Sequence, residues 1–487
     1  MMNYISLSYY VLLVVIVAIY YLLPLRHRWM ALLAGSGCFY YLAINRRMQL
    51  VIFAASIGIS YIFGGVIQHQ RERGRKLRWR KLVLILGIVF SAFPLLGSKC
   101  ADFFLGCIVH KQKLPWIIPI GLSFYSLQVI AYLVDIYKGR IDCQKNLFKY
   151  ALFISFFPQV IQGPIPRYQQ LGEQLFHGHR YDSDRFMKGI QLIIWGFFLK
   201  YMITNKASII VDTIFDNSTT YQGWFVLVAG ILYSFQLYAD FQSCVTMSQG
   251  VSQLFGINLI DNFDHPYFST SIKEFWRRWH ISLSTWLRDY IYIPLGGNRG
   301  GQFSKYRNLV ITFAVSGIWH GGSWKYLFWG LMHAGYQIAG DLTHGVQEKI
   351  YSFFQMPPGS KLRRLVQRFL TFYFVMTAWI IFRASSLKTG ARMILSMFTF
   401  RNPWIFFDDS LFQLGLNQKE CEVLALSLLL LLFVSTQQEK GICIRDWFVR
   451  QNLAVRWGIY LCVICGIWVL GTYGFGFEAN DFIYGGF

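Results

Sequence analysis

Three histidines lie within one polar stretch of the chain, residues 275–334: His280, His320 and His333. Neutral imidazole is the side chain most often used as a general base near neutral pH. The stretch interrupts a chain that is otherwise strongly apolar, and titratable groups among apolar helices are costly to keep. The stretch therefore predicts a site for proton transfer.

A helix over residues 275–292 would place His280 on an apolar face. At 100° per residue, it shares that face with Trp276, Leu283, Leu287 and Ile291. The opposite face holds Arg278, Ser282, Thr285 and Asp289. Such a helix suits the membrane interface or the wall of a cavity. The alternative is a core histidine that a backbone carbonyl satisfies, and the pattern leaves both interpretations open.

His320 ends the apolar run 309–319 and is followed by Gly321 and Gly322. Two glycines end a helix where the imidazole is presented, and they let a backbone or a substrate come close. His320 is thus a candidate general base, with a packed intramembrane histidine as the alternative. His333 lies in the middle of the next apolar segment, where we favour a structural role.

The segment PLGGNRGG, residues 294–301, is glycine-rich and contains Arg299. It lacks the preceding strand and the lysine of a nucleotide-binding loop, so it predicts a turn. Arg299 is nevertheless a candidate for binding an anionic group of a donor molecule, such as a phosphate. The nine cysteines are scattered and show no Cys/His ligand spacing. We therefore predict no metal site and no bound cofactor.

The composition indicates a membrane protein. Hydrophobic residues make up 55% of the chain and charged residues 14%, yet the formal net charge is +22. The basic residues occur in short runs between apolar segments, as at 26–28, 71–81 and 361–364. This is the pattern of the loops of a multi-pass protein in a lipid bilayer, so we expect no nucleic-acid partner.

The apolar segments are each close to the length that crosses a bilayer, about 20 residues. They lie at 4–23, 29–44, 48–67, 82–98, 116–137, 187–204, 222–239, 307–319, 324–343, 366–383, 422–436 and 454–471. Some are short enough to be tilted or re-entrant. The chain is therefore predicted to be an all-α polytopic membrane protein with about 11–13 membrane helices.

Two further features concern the path of the chain. The loop 71–81 carries seven basic residues, which predicts that it is cytoplasmic and that the N-terminus lies outside the cell membrane. Residues 151–168 contain three prolines and a glycine within an apolar run. They predict either a broken, re-entrant element near a site or a kinked helix end.

Several segments together resemble the membrane-bound O-acyltransferase family, and most closely the membrane subunit of bacterial polysaccharide O-acetyltransferases. They are 114–139, 157–168, 262–299, 319–334, 378–387 and the terminal FIYGGF at 482–487. The resemblance implies a ring of tilted helices around a central funnel. It also implies N-terminal transmembrane helices at 1–113, a catalytic core at 114–400 and C-terminal transmembrane helices at 401–487.

The resemblance further implies that His320 and His280 are catalytic. The activity would be transfer of an acetyl group from a cytoplasmic thioester, acetyl-CoA or another, to an extracellular polysaccharide of the bacterial cell envelope. An extracytoplasmic partner of the SGNH-hydrolase type would complete the transfer. One departure is that Thr246 stands where the family usually has an acidic residue.

Two other functions stay open at the level of sequence. One is D-alanyl transfer to teichoic acid from a carrier protein. The proteins with that activity resemble this chain less, because they are generally shorter at the C-terminus and residues 401–487 extend beyond them. The other is non-enzymatic transport of a polysaccharide or lipid. Transporters often show two related halves, and the sequence shows no such repeat.

Overall fold

The computed structural model describes residues 2–104 and 117–474. Within these two ranges the chain is helical and contains no β-strand, which confirms the all-α prediction. The chain divides into two compact units. The first contains the described residues up to Phe197 together with Ser243–Asp261, and the second contains Phe198–Gln242 and the described residues from Asn262 onward.

The described part of the first unit contains eight helices, the last of which ends at the first residue of the second unit. They are α1 Leu7–Leu22, α2 Arg28–Ala43, α3 Arg47–Glu72, α4 Leu77–Phe103, α5 Leu122–Tyr137, α6 Leu147–Ser155, α7 Tyr168–Phe176 and α8 Ser183–Phe198. Polar side chains cap the helices where their first N–H groups lack partners. The Ser6 hydroxyl accepts from the Tyr9 N–H at the start of α1, and the Asn146 side chain accepts from Phe148 and Lys149 at the start of α6.

Between α6 and α7 the backbone leaves the helix while remaining buried, and a place near a site stays a prediction for this segment. Both backbone polar groups of Phe157 are satisfied by side chains. The Tyr4 hydroxyl donates to the Phe157 carbonyl at 3.1 Å, and the Phe157 N–H donates to the Ser36 hydroxyl at 3.2 Å. Gly121 makes room for the segment, because a Cβ there would lie 2.0 Å from the Val160 carbonyl oxygen.

The second unit holds the remaining helices. They are α9 Asn205–Asp216, α10 Trp224–Leu254 (which ends in the first unit), α11 Ile272–Arg278, α12 Ile281–Leu287, α13 Gly301–His320, α14 Trp324–Leu342, α15 His344–Phe353, α16 Lys361–Arg383, α17 Leu387–Thr399, α18 Gln418–Glu439, α19 Ile444–Val449 and α20 Leu453–Leu470. Two π-helical segments, Leu199–Thr204 and Arg288–Tyr292, precede α9 and follow α12. The terminal FIYGGF lies outside the described residues.

Seven described helices are long and apolar enough to cross a membrane. They are Arg47–Glu72, Leu77–Lys99, Ser183–Asp216, Trp224–Leu254, Lys361–Arg383, Gln418–Glu439 and Leu453–Leu470. Each overlaps one predicted apolar segment, and Leu7–Leu22 and Leu122–Tyr137 are shorter apolar helices. The chain is thus a multi-pass membrane protein. The predicted total of about 11–13 membrane helices stays a prediction.

Helices α13 and α14 cross at close range, and this crossing fixes the position of His320. A Cβ at Gly330 would lie 2.2 Å from the Phe313 carbonyl oxygen, and one at Gly317 would lie 2.4 Å from the Tyr326 carbonyl oxygen. Only glycine lets the two backbones approach so closely. Any side chain at Gly330 would push the two helices apart just below the end of α13.

Candidate active site

The stretch 275–292 is not one continuous helix, so that prediction is wrong. Helix α11 ends at Arg278, α12 begins at Ile281, and His280 lies between them in the left-handed conformation, with φ 43° and ψ 56°. Such a conformation costs a non-glycine residue about 1–3 kcal/mol and tends to occur at functional sites. The break therefore gives His280 an orientation that a regular helix would not provide.

A loop from earlier in the chain holds the break open. The Asp264 N–H donates to the Arg278 carbonyl at 2.9 Å, and the Ile281 N–H donates to the Asn262 carbonyl at 2.9 Å. The Asn262 side chain accepts from the Ser282 N–H at 3.1 Å. These bonds replace those that a continuous helix would have made.

His280 is almost completely buried, with 1% of its surface exposed. Its ring lies edge-on to Phe241 at 4.6 Å between centroids and 6.3 Å from Trp319. His280 lies outside the seven candidate membrane spans. Burial lowers the pKa of its imidazole to about 3. The imidazole is therefore neutral at physiological pH. Ser282, which the helical pattern placed on the polar face, is buried as well.

His320 is the last residue of α13, where the sequence predicted that the helix would end. It is 2% exposed, and its ring lies 4.8 Å from Trp319 and 4.9 Å from Trp329. The following glycine is needed for packing, because a Cβ at Gly321 would lie 2.4 Å from the ring of Tyr326. Both His280 and His320 thus contact Trp319, and the structure brings these two predicted site residues together.

His333 has the environment of a packing histidine. It is fully buried, and its Nδ1 accepts a hydrogen bond from the indole N–H of Trp276 at 3.2 Å. Its ring lies 5.1 Å from that of Trp329, which also contacts His320. Because Nδ1 accepts, the imidazole is neutral in this arrangement and carries its proton on Nε2. This arrangement agrees with the structural role expected for His333.

Arg299 lies apart from the histidines. It occupies the predicted turn, in which Gly296, Gly297 and Gly301 have positive φ. Its side chain is exposed, whereas those of His280 and His320 are buried. If Arg299 binds part of a donor molecule, it does so at the protein surface and not beside the buried histidines.

A buried ion pair includes Asp240, the residue before Phe241, whose ring contacts His280. Lys200 Nζ lies 2.7 Å from Asp240 Oδ1, and the two side chains are 2% and 0% exposed. Lys200 belongs to the first π-helical segment, a type of distortion that is frequent at functional sites. Asp240 precedes Phe241 in α10. The pair was not predicted, although a lone charge within each of two apolar runs is a signal for it.

Three buried polar atoms near the histidines have no hydrogen-bond partner in the described part of the chain. They are the hydroxyls of Ser282 and Ser316 and the indole N–H of Trp329. Ser316 lies one helical turn before His320, Ser282 follows His280 by two residues, and the Trp329 ring contacts His320. Buried polar groups are rarely left unsatisfied, so these atoms are candidates for hydrogen bonds to a bound molecule.

A second cluster of titratable side chains, also not predicted, lies at the start of the loop before α11. Ligand atoms of Asp264, His265 and Glu439 lie within 4.8 Å of one another. Arg278 ion-pairs with Glu439 at 2.7 Å and with Glu274 at 2.9 Å. Because Arg278 already pairs with Glu439, and the Asp264 carboxylate contacts the His265 ring at 3.1 Å, we describe the cluster as an ion-pair network and not as a metal site.

Comparison with known proteins places this chain in a family. The model of the membrane-bound O-acyltransferase family matches residues 144–387. The chain is 36% identical over 428 residues to the probable alginate O-acetylase AlgI of Azotobacter vinelandii, covering 85% of this chain and 80% of that protein.

Two other relatives have different acceptors in their names. The peptidoglycan O-acetyltransferase of Helicobacter pylori is 33% identical over 404 residues, covering 76% of this chain and 73% of that protein. The teichoic acid D-alanyltransferase of Bacillus subtilis is 28% identical over 313 residues, covering 61% of this chain and 76% of that protein. The match to the family model spans both buried histidines, and the chain belongs to the membrane-bound O-acyltransferase family.

Proposed function

We propose that this O-acyltransferase moves an acetyl group from a cytoplasmic thioester toward an extracellular polysaccharide, with His320 as general base. The observation that carries the proposal is the pair of buried imidazoles, His280 and His320, whose rings both lie near that of Trp319. One is neutral through burial and held in a strained conformation, and the other is presented at the end of a helix.

In the proposed reaction, His320 removes the proton from an acceptor hydroxyl as its oxygen attacks the thioester carbonyl. A C–O bond forms, the C–S bond breaks, and the imidazolium returns the proton to the departing thiolate. His280 orients or polarises the reacting groups. The hydroxyls of Ser282 and Ser316 supply further hydrogen-bonding groups in the same region.

The donor is acetyl-CoA or another acyl thioester, and the polysaccharide is reached through an extracytoplasmic partner of the SGNH-hydrolase type. Similarity to the alginate and peptidoglycan enzymes supports an acetyl group and a polymeric acceptor. The protein would lie in the cell membrane with its N-terminus outside, as the basic loop at 71–81 indicates. Arg299 is retained only as a candidate for contact with an anionic part of the donor.

The second candidate function is D-alanyl transfer, which the lower similarity to the Bacillus subtilis enzyme supports less strongly. The two functions share a histidine pair and differ in the donor. A D-alanine-loaded carrier protein that supplies label more effectively than acetyl-CoA would favour this second candidate.

The test is an assay of label transfer from radiolabelled acetyl-CoA to polysaccharide in membranes that contain the chain. The His320→Ala variant should lose about 10²–10⁴-fold of the activity, the usual contribution of a general base. The matched control is His333→Asn, which removes an imidazole but keeps an acceptor for Trp276, and it should retain activity. Full activity in His320→Ala at equal protein level would refute the assignment.

A further inference from the structure

A groove in the second unit lies outside the proposed reaction. It is formed by α10, α16 and α18 with the residues from His265 to Phe268, and it has a volume of about 340 Å³. Its walls are mostly aromatic and aliphatic, and each of the three helices is a candidate membrane span. Apolar walls between helices of membrane-spanning length favour an occupant that is apolar at least in part.

The groove changes character along its length. Helices α10 and α16 run antiparallel, since Gly230 meets Met376 and Ile380 while Phe235 lies 6.0 Å from Phe372. Toward the start of α16 the lining contains Arg368, His265 and Ser435 together with Leu365, and at the other end it contains Ile231, Phe372 and Leu431. At 1.5 Å per residue, Arg368 lies about 10 Å from the start of α16, close to the depth of lipid headgroups and ester groups.

Arg368 is poised to meet an anion at the polar end. Its Nε donates to the Phe268 carbonyl at 2.9 Å, and its guanidinium lies 5.1 Å from the centre of the Phe268 ring. No carboxylate of the described residues ion-pairs with it. Two acidic residues close in sequence to the lining residues His265 and Ser435 have other partners: Glu439 pairs with Arg278 at 2.7 Å, and Asp264 contacts the ring of His265 at 3.1 Å.

We propose that this groove binds an anionic phospholipid, with its phosphate on Arg368 and an acyl chain along Phe372, Phe235 and Ile231. The charge at one end and the apolar walls at the other match the two parts of that molecule. An arginine holds a phosphate through several N–H donors at once. A zwitterionic headgroup carries its own ammonium group beside the phosphate, so it should bind this arginine less well than an anionic headgroup does. A lipid in the groove would contact Tyr238, which lines it. The ring of Tyr238 lies 6.4 Å from that of Trp279, the residue before His280.

The test is native mass spectrometry of the full chain, delipidated and then titrated with phosphatidylglycerol or phosphatidylcholine. The wild type should retain one phosphatidylglycerol in preference to phosphatidylcholine, and Arg368→Gln should reduce that preference about tenfold. Leu432→Trp, which places an indole at the exposed apolar wall, should lower retention of both lipids.

The matched control is Arg364→Gln, one turn earlier on the same helix, where the arginine is exposed and does not line the groove. It should retain the wild-type preference. Equal preference in Arg368→Gln and wild type would overturn the proposal, as would loss of the preference in Arg364→Gln alone. Displacement of the bound species by soluble glycerol phosphate would show a phosphate site without a lipid, which also contradicts it.

Discussion

At the level of single residues, His280 combines a strained backbone with an uncharged side chain. Three hydrogen bonds from residues 262–264 hold the backbone, and burial against Phe241 and Trp319 keeps the ring neutral. A neutral imidazole can accept a proton or donate its own, whereas an imidazolium can only donate. Because burial disfavours proton uptake, it favours the orienting or polarising role, in which His280 donates or accepts a hydrogen bond and stays neutral.

The lowered pKa of His280 has a consequence for stability. In the folded chain the ring stays neutral down to a pH of about 3, while in the unfolded chain it would bind a proton below its ordinary pKa of 6.5. Folding is therefore favoured above pH 6.5 and loses stability as the pH falls from 6.5 toward 3. The slope from one such group is at most about 1.4 kcal/mol per pH unit.

His280→Gln should therefore make the loss of stability between pH 6.5 and 4 shallower than in the wild type. The measurement is the unfolding temperature of the purified protein across that range. His344→Gln, at an exposed histidine, serves as the control and should follow the wild type. Parallel curves for His280→Gln and the wild type would show that the ring is not buried in its neutral form.

The local backbone structure could be predicted from the sequence at His320 but not at His280. The end of α13 at His320 follows from the two glycines that come next in the sequence. The break at His280 does not follow from its neighbours, because residues 275–292 have a regular helical pattern. The backbone groups that open the helix there belong to Asn262 and Asp264, and such partners are brought near by the fold and not by local preference.

At the level of elements, the ion pair of Lys200 and Asp240 joins a π-helical segment to α10 beside Phe241. Removing one charge leaves the other buried without its counterion, which typically costs about 3–5 kcal/mol. Removing both together costs much less, since neither charge is then buried alone. The pair should therefore behave as one unit and not as two independent contributions.

The expected result is that Lys200→Met and Asp240→Asn each lower the unfolding temperature strongly, and that the double variant recovers much of the loss. The measurement is a double-mutant cycle on the purified protein. If the two losses simply add, the charges do not depend on each other and the account of this element is wrong. The acetyl-transfer rate of the recovered double variant then reports whether the charges also position Phe241 against His280.

At the level of the whole molecule, composition and the apolar segments were enough to predict a helical multi-pass protein. Each of the seven long apolar helices matches one predicted segment. The short helices α11 and α12, the π-helical segments and the groove along α16 were not predictable. They depend on contacts between residues far apart in sequence, such as those of Lys200 with Asp240 and of Asn262 with Ile281.

The central claim is that acyl groups cross a membrane through this chain by chemistry at His320. The most direct measurement uses sealed proteoliposomes with radiolabelled acetyl-CoA inside and the partner protein with polysaccharide outside. We expect label on the external polysaccharide with the wild type and almost none with His320→Ala, while His333→Asn stays close to the wild type. Equal labelling by His320→Ala, or labelling only when donor and acceptor share one side, would contradict the claim.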